Sequence, residues 1–395
     1  MIDYNKFLNK SLVDVKPSGI RKFFSIAEEM DNVISLGVGE PDFKTPWHIR
    51  QRGIECLERG TTRYTSNAGL LQLREEISVY YKRRFNIEYN PKDEVLITVG
   101  GSEGIDMAIR SIVSPGDEVL VVEPSFVCYK PIVEVSGAKA VPIVTKEENE
   151  FRLMPDELKA AITPKTKLLV LPFPNNPTGG IMTREDLESI RQIIIDNDLF
   201  VLSDEIYSEL TYTSEGHTSI ASLEGMRERC VVINGFSKTY SMTGWRLGYA
   251  LGPAPVIQQM TKLHQFAIMS APTNSQYAAI EALKHGDKDI EKMKREYDMR
   301  RRFTVDGFRK IGLDCFEPKG AFYVFPCIKS TGLSSEEFAE RLIMAKRVAV
   351  VPGNAFGDCG EGFIRVSYCY SIDNIKEAIK RIGEFVKEIK DESKD

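Results

Sequence analysis

Four groups of residues in this chain have the types and spacing for chemistry. Lys238 follows Gly235, Phe236 and Ser237, close behind the apolar run Cys230–Asn234. A lysine in such a place has its amine pKa lowered by desolvation and by a neighbouring cation, for which Arg246 is the candidate; a neutral amine can form a Schiff base. Ser237 and Arg246 suit a phosphate. A solvated loop lysine is the plain alternative, and it loses ground because Ser237, Lys238 and Arg246 share one short segment between two strands. Asp204 ends the apolar run Phe200–Ser203. A partly buried carboxylate there expects a cationic partner, such as a protonated heterocyclic nitrogen, while an N-cap or a salt bridge is the plainer reading. Arg365 lies within the apolar stretch Phe363–Val366. Its planar fork must face water, a carboxylate or a site, and it matches a carboxylate bidentately; an edge strand is the alternative. Gly100, Gly101 and Ser102 join a strand to a helix, where small residues and the helix dipole favour an anion, or simply make a tight turn.

These groups must be held by strands. Glu94–Val99, Glu118–Glu123, Ala140–Val144, Lys167–Leu171, Phe200–Ser203, Cys230–Asn234 and Leu247–Leu251 read as short apolar strands. Helical stretches at Ser102–Val113, Phe126–Ser136, Pro155–Ile162 and Thr183–Asn197 alternate with them. That alternation predicts an α/β fold, a mostly parallel central sheet flanked by helices. In such sheets ligands sit at the carboxyl ends of the strands. The Gly100 turn, the Asn175–Gly179 turn, Asp204 and Lys238 each follow one. The dinucleotide pattern G-x-G-x-x-G and the Walker A pattern are both absent, which disfavours a nicotinamide dehydrogenase. From Ala254 to Ile311 the pattern is helical. Strands at Phe322–Phe325, Val348–Val351 and Phe363–Val366, with helices at Glu336–Ala345 and Ile372–Lys387, then make a smaller α+β unit. Ser334 and Glu337 have capping-box spacing before the first of these helices. Before Trp47 no clear pattern is read.

Composition sets the outer limits. The chain has 395 residues, 42% of them apolar, enough for a large core and for one large or two ordinary domains at about 150 residues each. With 29 glycines and 19 prolines it is neither collagen-like nor low-complexity. A net charge of −5 without a basic patch argues against nucleic acid and against a polybasic membrane anchor. The seven cysteines are scattered without C-x-x-C spacing and there are four histidines, so neither a disulfide framework nor a metal site is expected. Free thiols fit a reducing cytoplasm. No signal peptide and no run of 18 apolar residues is read.

The segment from Gly235 to Gly248, GFSKTYSMTGWRLG, resembles the lysine signature of class I pyridoxal-phosphate-dependent aminotransferases. Gly39-Glu40-Pro41-Asp42-Phe43, Asn176-Pro177-Thr178-Gly179, Asp204-Glu205-Ile206-Tyr207 and Phe363-Ile364-Arg365 fall in the same family's order, so the resemblance runs from about Ile34 to Ser367. It implies pyridoxal 5'-phosphate as cofactor and transfer of an amino group between an L-amino acid and a 2-oxo acid by a ping-pong mechanism. Lys238 would be the Schiff-base lysine and the proton carrier at the substrate Cα. Asp204 would pair with the ring nitrogen, making the ring an electron sink. Asn176 and Tyr207 would bond the ring's phenolic oxygen. Gly101, Ser102, Ser237 and Arg246 would hold the phosphate, and Phe126 would stack on the ring. Tyr64 would reach the phosphate of a neighbouring subunit, which implies a homodimer. Arg365, with the Gly39 backbone and Asn176, would clamp the substrate carboxylate. The resemblance divides the chain into an N-terminal segment 1–46, a cofactor-binding domain 47–290 and a C-terminal domain 291–395, the first and last forming the smaller domain.

The donor is less legible. Some aspartate-using relatives carry a lysine directly after the Gly-Gly turn; this chain has Ser102. The stretch Ser18–Phe23 resembles relatives assigned to aromatic amino acids and to acetylated diaminopimelate, and Arg21 within it either meets a distal carboxylate or is a surface charge. Two other functions compete: a β-lyase cleaving Cβ–S bonds on the same fold, and a non-catalytic cofactor-binding sensor. The second is disfavoured because no DNA-binding extension or basic surface is read.

Overall fold

Strand faces in this chain alternate cleanly between two cores. The computed structural model describes residues 2–15, 17, 19 and 30–392, so Arg21 and most of the Ser18–Phe23 stretch lie outside the described residues. Strands β2 (Val95–Thr98), β3 (Glu118–Glu123), β4 (Lys139–Val144), β5 (Thr166–Leu171), β6 (Phe200–Asp204), β7 (Cys230–Gly235) and β8 (Gly248–Leu251) form one sheet, while β1 (Ile34–Ser35) lies apart from it. Val95, Ile97, Leu120, Val122, Leu169, Leu171, Val201 and Val232 pack into one core, and the intervening Leu96, Val119, Val121, Leu168, Val170, Leu202, Val231 and Ile233 into another. Successive side chains point to opposite faces of a strand, so both faces of the sheet are covered, as near-continuous apolar strands require.

The strand order is β2-β8-β7-β6-β5-β3-β4. Only β8 runs antiparallel to its neighbours. The other six therefore point the same way, and their carboxyl ends gather on one edge. The mostly parallel sheet expected from the sequence is the sheet found.

The C-terminal third has its own core, built from residues such as Phe322, Val324, Phe338, Val366, Tyr368 and Phe385. Strands β9 (Tyr323–Val324), β10 (Val348–Ala349), β11 (Val351–Pro352) and β12 (Ile364–Ser367) lie there. Several sequence expectations change. The run Val348–Val351 reads as one strand but is two: β10 pairs parallel with β1, and β11 pairs antiparallel with β12. β1 itself, in the part of the chain read as patternless, borrows its partner from the far end of the chain. The helix expected from Phe126 begins only at Tyr129, leaving Phe126 in the turn after β3. The helices Trp47–Glu58 and Leu71–Phe85 precede the sheet. The second buries Leu73, Ile77, Tyr80 and Tyr81, which fall at helical spacing. The helix Asp287–Lys310 runs through the boundary drawn at 290. Among the described residues no helix is long and apolar enough to cross a membrane.

Candidate active site

The gathered carboxyl ends of β2, β3, β5, β6 and β7 open into one cavity of about 290 Å³. Gly39, Gly101, Ser102, Phe126, Asn176, Asp204, Tyr207, Ser237, Lys238, Arg246 and Arg365 all line it. Tyr64 does not; it is 81% exposed on the surface of this chain.

Lys238 sits on the single helical turn Phe236–Thr239 that caps β7. The end of β7 is fixed by Asn234, whose Nδ2 donates to Tyr81 Oη (3.1 Å) and Ser208 Oγ (3.0 Å) and whose Oδ1 accepts from Gly235 N (2.7 Å). Lys238 Nζ donates to the Gly39 carbonyl at 2.7 Å and has no carboxylate partner among the described residues. Burial lowers its amine pKa to about 8; Arg365 and Arg246 add to the lowering, while Cys369 and Glu40 oppose it. The cation effect expected from Arg246 is thus present but is the smallest of these influences, and burial dominates.

Asp204 closes β6 and is 6% exposed. Tyr129 donates its hydroxyl to Asp204 Oδ2 at 2.7 Å, and Ile206 N–H donates to Oδ1 at 3.2 Å. Burial still pushes the carboxyl up to about 6, against those two bonds and with a further rise from Glu205. No cation pairs with it among the described residues, which argues against the salt-bridge reading. Tyr129 is a site residue that the sequence did not single out; its only local signal is its position three residues after Phe126.

The helix Gly100–Ile112 begins at the cavity, and Val99 at its N-cap offers no side-chain acceptor. Its first N–H groups are thus left for an anion. Gly100 has φ +76°, and a Cβ there would lie 2.7 Å from Arg246 Nη2. Gly248 lets β8 pass beneath: a Cβ on it would lie 2.6 Å from Gly100 C and 2.7 Å from Gly101 N. Arg246, at φ +51°, donates through Nη1 to Thr243 O at 3.0 Å. With Ser102 and Ser237 on the same cavity, these groups form a cradle of donors with one cation.

Arg365 is 3% exposed in the middle of β12. Its guanidinium lies between the rings of Tyr323 (4.6 Å) and Phe356 (4.7 Å). Nη1 donates to Asn176 Oδ1 at 2.9 Å and Nη2 to the Gly37 carbonyl, while Nε is buried without a partner among the described residues. A buried cation held, among the described residues, only by neutral acceptors is matched to an incoming carboxylate. Asn176 is presented by a turn that Asn175 stiffens: Asn175 Oδ1 accepts from Thr178 N and Oγ1 at 3.1 and 2.9 Å. Tyr207 Oη is 2.9 Å from Tyr323 Oη, the second residue that the sequence did not single out.

The cavity therefore combines an anion cradle, a carboxylate lacking a cation, an amine of lowered pKa and a guanidinium lacking a carboxylate. The family profile described as "Aminotransferase class I and II" matches residues 31–382. A Bacillus subtilis (strain 168) protein named "Putative aminotransferase YugH" is 50% identical over 96% of this chain and 98% of its own. An aspartate aminotransferase of Pyrococcus abyssi is 46% identical over 95% of this chain and 97% of its own. The crystal structure of an aromatic aminotransferase from Pyrococcus horikoshii superposes with a TM-score of 0.89 at 44% identity, covering 94% of this chain and 99% of that one.

Proposed function

The chain belongs to the class I and II aminotransferase family and is a transaminase, and from that premise we propose that it binds pyridoxal 5'-phosphate in this cavity and shuttles an amino group between an L-amino acid and a 2-oxo acid in two half-reactions. The residues fit that cofactor. The uncapped helix turn with Ser102, Ser237 and Arg246 suits its phosphate, Asp204 suits its ring nitrogen, Phe126 suits its ring face, and Asn176 and Tyr207 suit its phenolic oxygen. When bound, this cofactor supplies an aldehyde for the amino group and a conjugated ring that takes up the electron pair of the broken Cα–H bond.

The protein's own part is positioning and proton traffic. The Arg365 fork binds the substrate α-carboxylate, fixing the direction of the Cα–H bond. Lys238 Nζ, with its pKa of about 8, is neutral often enough near neutral pH to take the Cα proton and deliver it again as a general acid. The Asp204 carboxylate holds a proton on the ring nitrogen; a cation there lowers its pKa from about 6, so it stays ionised. The observation that carries the reading is one cavity lined by Lys238, Asp204 and Arg365, none of which has an oppositely charged protein partner among the described residues.

Relatives of nearly equal identity carry aspartate and aromatic names, so overall identity does not choose the donor. A panel of amino donors with 2-oxoglutarate or pyruvate, read as product and as cofactor colour, ranks donors. Release of ammonia and pyruvate in place of amino transfer would contradict the reading. We further propose a homodimer in which the exposed Tyr64 serves the partner's phosphate site, with segments 1–46 and 291–395 forming the smaller domain around β1 and β10. An active monomer in sedimentation would contradict the dimer. The seven free cysteines suit a cytoplasmic enzyme.

A further inference from the structure

Behind the anion cradle lies a half-buried pair that the reaction does not use. Glu103 stands in the first turn of the helix Gly100–Ile112 and reaches back one turn, accepting the backbone N–H of Val99 on Oε2. Its Oε1 lies 3.0 Å from His264 Nδ1. His264 comes from the helix Ala254–Ala267, is 0% exposed, and its Nε2 is buried without a partner among the described residues. A carboxylate only accepts, so Nδ1 carries the hydrogen in this contact.

The placement matters because of what lies beside it. The turn Val99–Gly101 has no N-cap side chain to hold it, and Gly100 stands at φ +76°. Apart from the helix itself, the turn is held by Thr98 Oγ1, which donates to Gly100 O at 2.9 Å, and by Glu103. A free carboxylate at the positive end of a helix would also compete with an incoming anion for the same field. With one oxygen on Val99 N–H and the other on His264, the charge of Glu103 is engaged inside the protein and the turn is braced.

We propose that His264 is a positioning residue for the phosphate turn, acting through Glu103. The inference rests on the reading that this turn holds the cofactor phosphate. Pyridoxal, which lacks the phosphate, separates the two. Cofactor-free wild type, His264→Leu, His264→Asn and Glu103→Ala are titrated by equilibrium dialysis with pyridoxal 5'-phosphate and with pyridoxal. Losing one bond to a charged group predicts that His264→Leu and Glu103→Ala bind the phosphorylated cofactor about tenfold or more weakly. Both should bind pyridoxal as the wild type does. His264→Asn, whose amide N–H replaces Nδ1–H, should restore affinity, and the ³¹P resonance of the bound cofactor should move in His264→Leu and return in His264→Asn. Glu103→Ala, at a partly exposed position, carries the test if the buried leucine prevents folding. Unchanged affinity for pyridoxal 5'-phosphate, or equal loss for both ligands, overturns the proposal. A wild-type protein that binds neither ligand overturns the cofactor reading instead.

Discussion

Lys238 Nζ donates to the carbonyl of Gly39 at 2.7 Å, across the seam between β7 and the segment just after β1. The bond joins the central sheet to the part of the chain that pairs with β10, so the reactive amine is placed by both cores. A backbone carbonyl holds either protonation state of the amine without fixing a charge on it, unlike a carboxylate.

The lowered pKa of that amine is directly measurable. In cofactor-free protein Lys238 is mostly protonated below pH 8 and mostly neutral above it, because burial disfavours the charged form. Its rate of acylation, followed by mass spectrometry of the peptide, should therefore rise with a midpoint near 8. A midpoint near the ordinary 10.5 would contradict the desolvated site.

Tyr129 should hold down the pKa of Asp204. Its hydroxyl bonds the ionised carboxylate and opposes the rise caused by burial. Tyr129→Phe should move the Asp204 titration, read by carboxyl ¹³C NMR of the cofactor-free protein, above its midpoint of about 6. An unmoved or lowered midpoint would remove Tyr129 from this role.

Arg365→Ala should weaken amino-acid binding by about 2 to 5 kcal/mol, the range for truncating one partner of a buried charge pair. The loss should fall on KM for donors and acceptors, with the cofactor retained. An unchanged KM would take Arg365 out of the substrate site.

Gly248→Ala tests the cradle from beneath. The new methyl would lie well inside contact distance of the Gly100 and Gly101 backbone, so the turn must shift. Cofactor affinity should fall about tenfold or more if the turn grips the phosphate, since one good hydrogen bond to a charged group is worth that much. Unaltered affinity would show that the phosphate is held elsewhere.

The sequence exposed most of this arrangement for a physical reason. Parallel strands bring the residues at their carboxyl ends to one edge, so Asp204 at the end of β6 and Lys238 after β7 are legible without knowing how the strands are ordered. Tyr129 is not. It meets Asp204 only because β3 lies next to β5 and β5 next to β6, and that order is set by tertiary packing that no local spacing reports. The two-residue β1 escapes notice for a related reason: its hydrogen bonds go to the Val348–Ala349 strand and its flanks, so the local sequence carries no period to recognise. The run Val348–Val351 misleads in the opposite direction. Its residues are all apolar because they are all buried, yet two different sheets bury them. Arg365 stood out because a cation inside an apolar strand needs a reason, and the rings of Tyr323 and Phe356, with no carboxylate paired to it among the described residues, supply it.

The account turns on which amine carries the cofactor. Borohydride treatment of the wild-type holoenzyme, followed by peptide mapping, should place the fixed pyridoxyl label on Lys238, and Lys238→Ala should take up none. A label on another lysine, or undiminished labelling of Lys238→Ala, would contradict it.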